Sequence, residues 1–277
     1  MKTLTLTILL ILFTTGISAQ TNMSFYVSQA SSENWKTGRK SFWEVGAGFD
    51  LRETGRIDTL ILDLRIKIAS GFRLEQNQDL GKEFIIPTDN ELFGEMVLKY
   101  PLGWALDPYI SASFDTQPTV SFRLAKDKLL QSGKFLDPIT GTQSLGFAFK
   151  YSEKKDFISS RIGFALKQFR AENFTQLTDD RKTTDIIETY KEETGLQWTT
   201  DSFFEIDSNF NYKTTVDLFT TYELPEIWTV KWQNEFKSKV WRFITVSLKL
   251  DMFYDEKQMK KLQFGQSLRL GVSSEFI

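Results

Sequence analysis

The sequence predicts an all-β fold: an antiparallel transmembrane up-and-down β-barrel of about 12 strands, with short periplasmic turns and longer outer loops. Three observations carry this. Long segments alternate apolar and polar side chains with period two, which puts each class on one face of a strand. The connections alternate between short and long, as they do in barrels that cross an outer membrane. Aromatic residues make up 14% of the chain and gather near strand ends, where two membrane interfaces would lie.

The closing pair shows the alternation best. In residues 242–254, Ile244, Val246, Leu248, Leu250, Met252 and Tyr254 share one face, and Thr245, Ser247, Lys249 and Asp251 the other. After a polar turn at 255–261, Leu262, Phe264, Leu268, Leu270, Val272 and Phe276 oppose Gln263, Gly265, Ser267, Arg269, Gly271 and Ser273. Runs of this length exceed the usual strand of about 5–6 residues and suit the about 9–11 that a tilted strand needs to cross a bilayer.

From the start of the chain, the same pattern marks residues 23–29, 41–51, 57–69, 90–100, 109–115, 143–151, 157–168, 193–205, 210–222 and 228–237. The stretch 193–205 is the weakest, resting on Leu196, Trp198 and Phe204. Short connections fall at 52–56, 101–106, 152–156, 206–209 and 238–241, and long ones at 30–40, 72–89, 116–142 and 169–192; the last two outer turns, near 223–227 and 255–261, are short as well. An even strand count with both termini periplasmic places every long loop outside. Alternation alone also fits a soluble sandwich or a lipocalin-like barrel, because apolar-in and apolar-out read identically. Strand length, the charged polar face and the aromatic girdles favour the membrane barrel. Tyr100, Trp104, Tyr151 and Trp241 would form one girdle, and Trp43, Trp198, Tyr222, Trp228 and Tyr254 the other.

The first nineteen residues read as a cleaved signal peptide, which leaves 20–277 as the barrel. Met1-Lys2 supplies a positive start, residues 4–13 an apolar stretch, and Ala19 a small residue at the cut before Gln20. With the alternating strands, this predicts the outer membrane of a Gram-negative cell, with outer-membrane lipid and other outer-membrane proteins as partners. The net charge of −2, from 34 basic and 36 acidic residues, gives no footprint for nucleic acid.

The chain has no His and no Cys. Ser–His and Cys–His nucleophile schemes are therefore closed, and so is zinc held by imidazole or thiolate. No catalytic residue, cofactor or metal site is expected; carboxylates such as Asp179, Asp180 and Asp185 give only an unspecific calcium signal.

The polar face carries the remaining chemistry. Candidates for lining the lumen are Asp63, Arg65, Lys67, Glu95, Lys99, Arg161, Lys167, Asp217, Lys231, Glu235, Lys249, Asp251 and Arg269. Glu44, Asp50, Asp115, Asp201, Glu205, Lys150, Lys213 and Lys237 share that face. Such a mixture lacks the single-sign ring that selects one charge. It fits a small passive channel or solute-binding barrel. The alternative is a closed structural barrel within a larger outer-membrane assembly, its charges paired across the lumen. Residues 120–131 place Phe122, Leu124, Leu129 and Leu130 among basic residues at loosely helical spacing, an amphipathic loop that either narrows the mouth or lies on the rim. Asn34 and Trp35, in the first long connection, offer a binding site or, the favoured reading, a turn in which Trp35 anchors at the outer interface and Asn34 caps backbone groups.

At Ser28-Gln-Ala-Ser-Ser-Glu-Asn-Trp35, followed by Gly38, the chain resembles an uncharacterised outer-membrane β-barrel family of Bacteroidota-type bacteria. In that family a similar Ser-Gln-Ala…Asn-Trp element opens the mature chain. The resemblance extends to Thr88-Asp-Asn90 before Leu98-Lys-Tyr100, to residues 109–117 and 216–222, to the Trp232 strand, to Phe253-Tyr-Asp255 and to the closing strand. Two departures are a compressed acidic turn after Tyr254 and an end on Phe-Ile rather than Phe. The resemblance implies a β-barrel and adds no chemistry.

Overall fold

A computed structural model of the chain describes residues 18–33, 42–77, 82–103, 105–125, 128–153, 155–179, 185–256 and 259–276. Its main body is one closed antiparallel barrel of twelve strands: β1 (Ser18–Glu33), β2 (Phe42–Ile57), β3 (Leu60–Asn77), β4 (Lys82–Lys99), β5 (Asp107–Thr116), β8 (Ile139–Glu153), β9 (Asp156–Arg170), β10 (Tyr190–Asp207), β11 (Phe210–Thr221), β12 (Leu224–Lys239), β13 (Ile244–Asp255) and β14 (Met259–Phe276). Between β5 and β8 stands a separate hairpin, β6 (Ser121–Ala125) and β7 (Lys128–Gly133). Each barrel strand pairs with its neighbour in the chain, β5 pairs with β8 across the hairpin, and β1 closes on β14 from Thr21↔Phe276 to Glu33↔Phe264. Closure removes the open edges that a sheet would otherwise present.

The alternation decides which way each strand faces. Phe25 and Phe164 are 68% and 61% exposed, while their neighbours Tyr26 and Ala165 are buried. Met23, Val27, Ile110, Leu145, Phe147, Ile162, Leu268, Leu270 and Val272 continue the exposed apolar wall. Burying a side chain of this kind is worth about 1.5–3 kcal/mol. A wall of them turned outward is stable only where the surroundings are apolar too. Among the described residues the inside, by contrast, carries a buried apolar cluster of three, Val97, Tyr109 and Ala148.

Three polar side chains of the outer wall are paired within it. The indole N–H of Trp198 donates to Ser160 Oγ at 2.9 Å, that of Trp232 to Thr214 Oγ1 at 3.0 Å, and Tyr212 Oη to Asn234 Oδ1 at 2.7 Å. Two glycines admit large rings: a Cβ on Gly46 would collide with Tyr26, and one on Gly94 with Phe114. Each ring lies over the bare backbone of the neighbouring strand.

Several boundaries differ from the sequence reading. Residues 52–56, expected as a turn, belong to β2, and the reversal is Asp58-Thr59, with Asp58 at φ 55°. A short polar side chain tolerates that left-handed conformation. The charges there read as solvent-facing, but Arg52 and Glu53 line a cavity inside the barrel. The connection expected at 72–89 is largely strand, since β3 runs to Asn77 and β4 starts at Lys82. Residues 121–133 form the β6–β7 hairpin rather than anything helical, with Leu124 paired to Leu129 and Phe122 to Gln131. Cross-strand pairing there replaces the helical spacing. The signal peptide lies outside the described residues except for Ser18 and Ala19, which begin β1, and so do Asn34, Trp35 and Trp104.

Candidate functional site

The inward face of the barrel concentrates charge in layers. The layer nearest the middle is built by strands from opposite sides. Lys213 Nζ on β11 lies 3.3 Å from Asp50 Oδ2 on β2. Arg65 on β3 approaches two acids, Asp50 through Nε at 3.6 Å and Asp201 on β10 through Nη1 at 3.7 Å. Arg52 Nε adds a third cation to Asp50 at 3.6 Å, and Arg161 Nη2 on β9 binds Glu95 Oε1 on β4 at 2.7 Å. In the order of strands around the barrel, β2 and β11 are five places apart by the shorter way, as are β3 and β10. These ion pairs therefore cross the lumen.

On the short-turn side of this layer lies a cavity of about 270 Å³. Its wall carries Arg52, Arg65, Lys99, Lys150 and Arg161 against Glu53, Asp63, Glu95 and Asp201, with Thr54, Leu64, Val97, Phe157 and Ser159 between them. Lys99 Nζ is 2.5 Å from Asp63 Oδ2, and Thr54 Oγ1 donates to Asp63 Oδ1 at 2.8 Å. Phe157 stacks on Phe203 with ring centroids 6.1 Å apart.

Toward the long loops a second layer gathers on β1, β2, β3, β4 and β14. Tyr26 Oη donates to Asp89 Oδ2 at 2.5 Å, and Arg269 Nη2 meets the same oxygen at 2.8 Å while its guanidinium lies 4.2 Å over the Tyr26 ring. Arg269 also approaches Glu44 Oε1 at 3.7 Å, which accepts from Ser28 Oγ at 2.6 Å. Lys67 Nζ pairs with Glu91 Oε2 at 2.5 Å.

Of the thirteen lining candidates, Asp63, Arg65, Lys67, Glu95, Lys99, Arg161 and Arg269 thus enter ion pairs. Asp217 accepts from Gln197 Nε2 at 3.0 Å, and Asp251 from Gln233 Nε2 at 3.3 Å. Lys167 Nζ lies 4.0 Å over the Phe219 ring. Lys231 stands in register opposite Asp217, and Glu235 opposite both Lys213 and Lys249. The sequence reading missed Arg52, Asp89 and Glu91. Arg52 was hidden in the supposed turn, although the parity of Asp50 already pointed to it. Asp89 lies beside the β3–β4 irregularity between Ser70 and Phe72, which breaks the parity count.

Above the barrel, loop residues are tied together. Asn90 Oδ1 accepts from the amide and hydroxyl of Thr119 at 3.2 and 2.8 Å, and its Nδ2 donates to Ser121 Oγ at 2.8 Å, which holds the base of the β6–β7 hairpin on β4. Gln117 Nε2 donates to the Lys134 and Asp137 carbonyls, and Ser121 Oγ bonds Gln117 Oε1. The Asp137 carboxylate accepts from the amides of Glu172 and Asn173 at 2.9 and 3.0 Å and from Asn173 Nδ2 at 3.0 Å. Burial pushes the Asp137 carboxyl up, but these bonds and nearby Lys134 outweigh it and hold the group below the usual carboxylate value.

No family model and no curated protein matches the chain. Among solved structures it is similar to the NanC porin, at 8% identity and TM-score 0.42, covering 90% of this chain and 98% of that one. It is similar also to an outer membrane channel from Pseudomonas putida F1, at 11% identity and TM-score 0.40, covering 92% and 95%. A third is the translocator domain of the autotransporter NalP from Neisseria meningitidis, at 9% identity and TM-score 0.40, covering 98% and 92%.

Proposed function

We propose that this chain is an integral outer-membrane barrel, with both termini periplasmic, that admits small charged solutes into a lumen interrupted by one cross-lumen ion-pair layer. The observation that carries the reading is the two-faced wall: exposed apolar side chains outside, and paired charges around a cavity inside. An apolar band suits lipid, and a mixed-charge interior suits weakly selective passage. The motif resemblance to the Bacteroidota-type family supports the same location and remains part of the proposal. Deleting residues 1–19 and fractionating the cells tests the targeting; a chain that still reached the outer membrane would sink it.

In planar bilayers the purified protein is expected to give small, weakly ion-selective steps. Those steps should widen when Asp50 and Asp201, the anchors of the layer, are replaced by Asn. A second reading has its own support, since Arg65 bridges Asp50 and Asp201 from opposite walls. A permanent closure of this kind suits a structural barrel in a larger assembly. Silent bilayers from both forms, with a stable partner retained in mild detergent, would decide for that reading.

A further inference from the structure

We propose that the cavity on the short-turn side of the ion-pair layer binds a small organic monoanion, its carboxylate held by Arg52 and its apolar body by Phe157. The inference rests on the lumen being open to solutes and names their class.

Three of the four acids of the cavity wall have cations beside them: Lys99 at 2.5 Å from Asp63, Arg161 at 2.7 Å from Glu95, and Arg65 at 3.7 Å from Asp201. Arg52 differs. Its only ion pair among the described residues is with Asp50 at 3.6 Å, and Asp50 also serves Arg65 and Lys213, at 3.6 and 3.3 Å. One carboxylate thus faces three cations. Arg52 Nη2 is buried and has no hydrogen-bond partner among the described residues. A buried cation with a spare donor is a poor resting arrangement and a good anchor, because a guanidinium fork matches the two oxygens of a carboxylate.

The rest of the wall selects the body. Phe157, braced by Phe203, and Val97 give the cavity apolar surface beside the charge. At about 270 Å³ it lies just under the roughly 300–1,000 Å³ of common ligand sites, so a compact solute fits. Benzoate combines the two features.

The test is calorimetric titration of the folded full-length barrel in detergent micelles with benzoate, acetate and inorganic phosphate at constant ionic strength. Saturable benzoate binding is expected, tighter than that of acetate or phosphate. Arg52→Gln should weaken it by about tenfold or more, as loss of a charge-assisted bidentate contact does, with Arg52→Lys between. Phe157→Leu should erase the advantage of benzoate over acetate. Glu223→Gln, at the long-loop end, should change nothing. Heat-modifiable gel migration verifies that each variant is folded. If Arg52→Gln does not fold, Arg52→Lys, which keeps the charge but loses the fork, takes its place and must weaken benzoate.

The proposal is overturned if the parent shows no saturable binding, if Arg52→Gln binds benzoate equally well, or if phosphate binds more tightly. Because heat is read without any current, benzoate binding beside silent bilayers would overturn the channel reading alone.

Discussion

Lys213 and Asp50 lie 163 positions apart in the chain, yet Nζ of one sits 3.3 Å from Oδ2 of the other across the lumen. The contact joins β11 to β2, and Arg52 and Arg65 share the same carboxylate. Asp50→Asn leaves three cations around a neutral amide. Breaking a buried pair costs about 3–5 kcal/mol, and a lumen that admits water should place this one near the low end, about 3 kcal/mol. Urea unfolding in liposomes measures it; unchanged stability would show that the layer does not brace the barrel.

The two faces of the wall should respond differently to charge. Leu248→Arg puts a cation on the exposed apolar side, where about 2–4 kcal/mol is expected near the bilayer midplane. Ser113→Arg puts one inside, in register with Glu95. Ser247 is a poorer inner control, being buried and paired in register with Arg269. Equal losses at Leu248 and Ser113 in refolding yield and unfolding midpoint would reject the assigned faces.

Asn90 holds the hairpin to β4 through Thr119 and Ser121. Asn90→Ala removes several part-buried bonds at about 1 kcal/mol each, so the hairpin should loosen while the barrel keeps its melting temperature. Limited trypsin digestion after the basic residues of β6 and β7 should speed up several-fold. Deleting residues 121–133 should enlarge the bilayer steps if the hairpin narrows the mouth, and leave them unchanged if it lies on the rim.

The Asp137 clamp should depend on pH in one direction. Its carboxyl titrates below the ordinary value of 3.8, so the stability it contributes is present above that value and is lost as pH falls through the lower folded one. Protection of the Glu172 and Asn173 amides, relative to their intrinsic exchange rates, should hold from neutral pH down to the ordinary carboxylate value and be lost as pH falls through the lower folded one. Asp137→Ala should expose both amides at every pH. Protection that persists in the variant would show that the loop is held by other contacts.

Much of this architecture was legible in the residues themselves. Ile244 to Tyr254 and Leu262 to Val272 announce the closing strands because a strand's side-chain period is two, a property of the backbone alone. The same period assigns Lys249 and Arg269 to one face and Leu248 and Leu270 to the other before any pairing is known. It failed where the backbone departs from regular strand. The irregularity beside Ser70 shifts the parity around Asp89, and polarity at residues 52–56 imitates a turn. What the sequence by itself determined is the set of strands and the two faces of the wall. The tertiary structure alone decided which charges meet. Partners such as Lys213 and Asp50, or Arg65 and Asp201, depend on the stagger and closure of all twelve strands, and a barrel brings together residues that no local spacing relates.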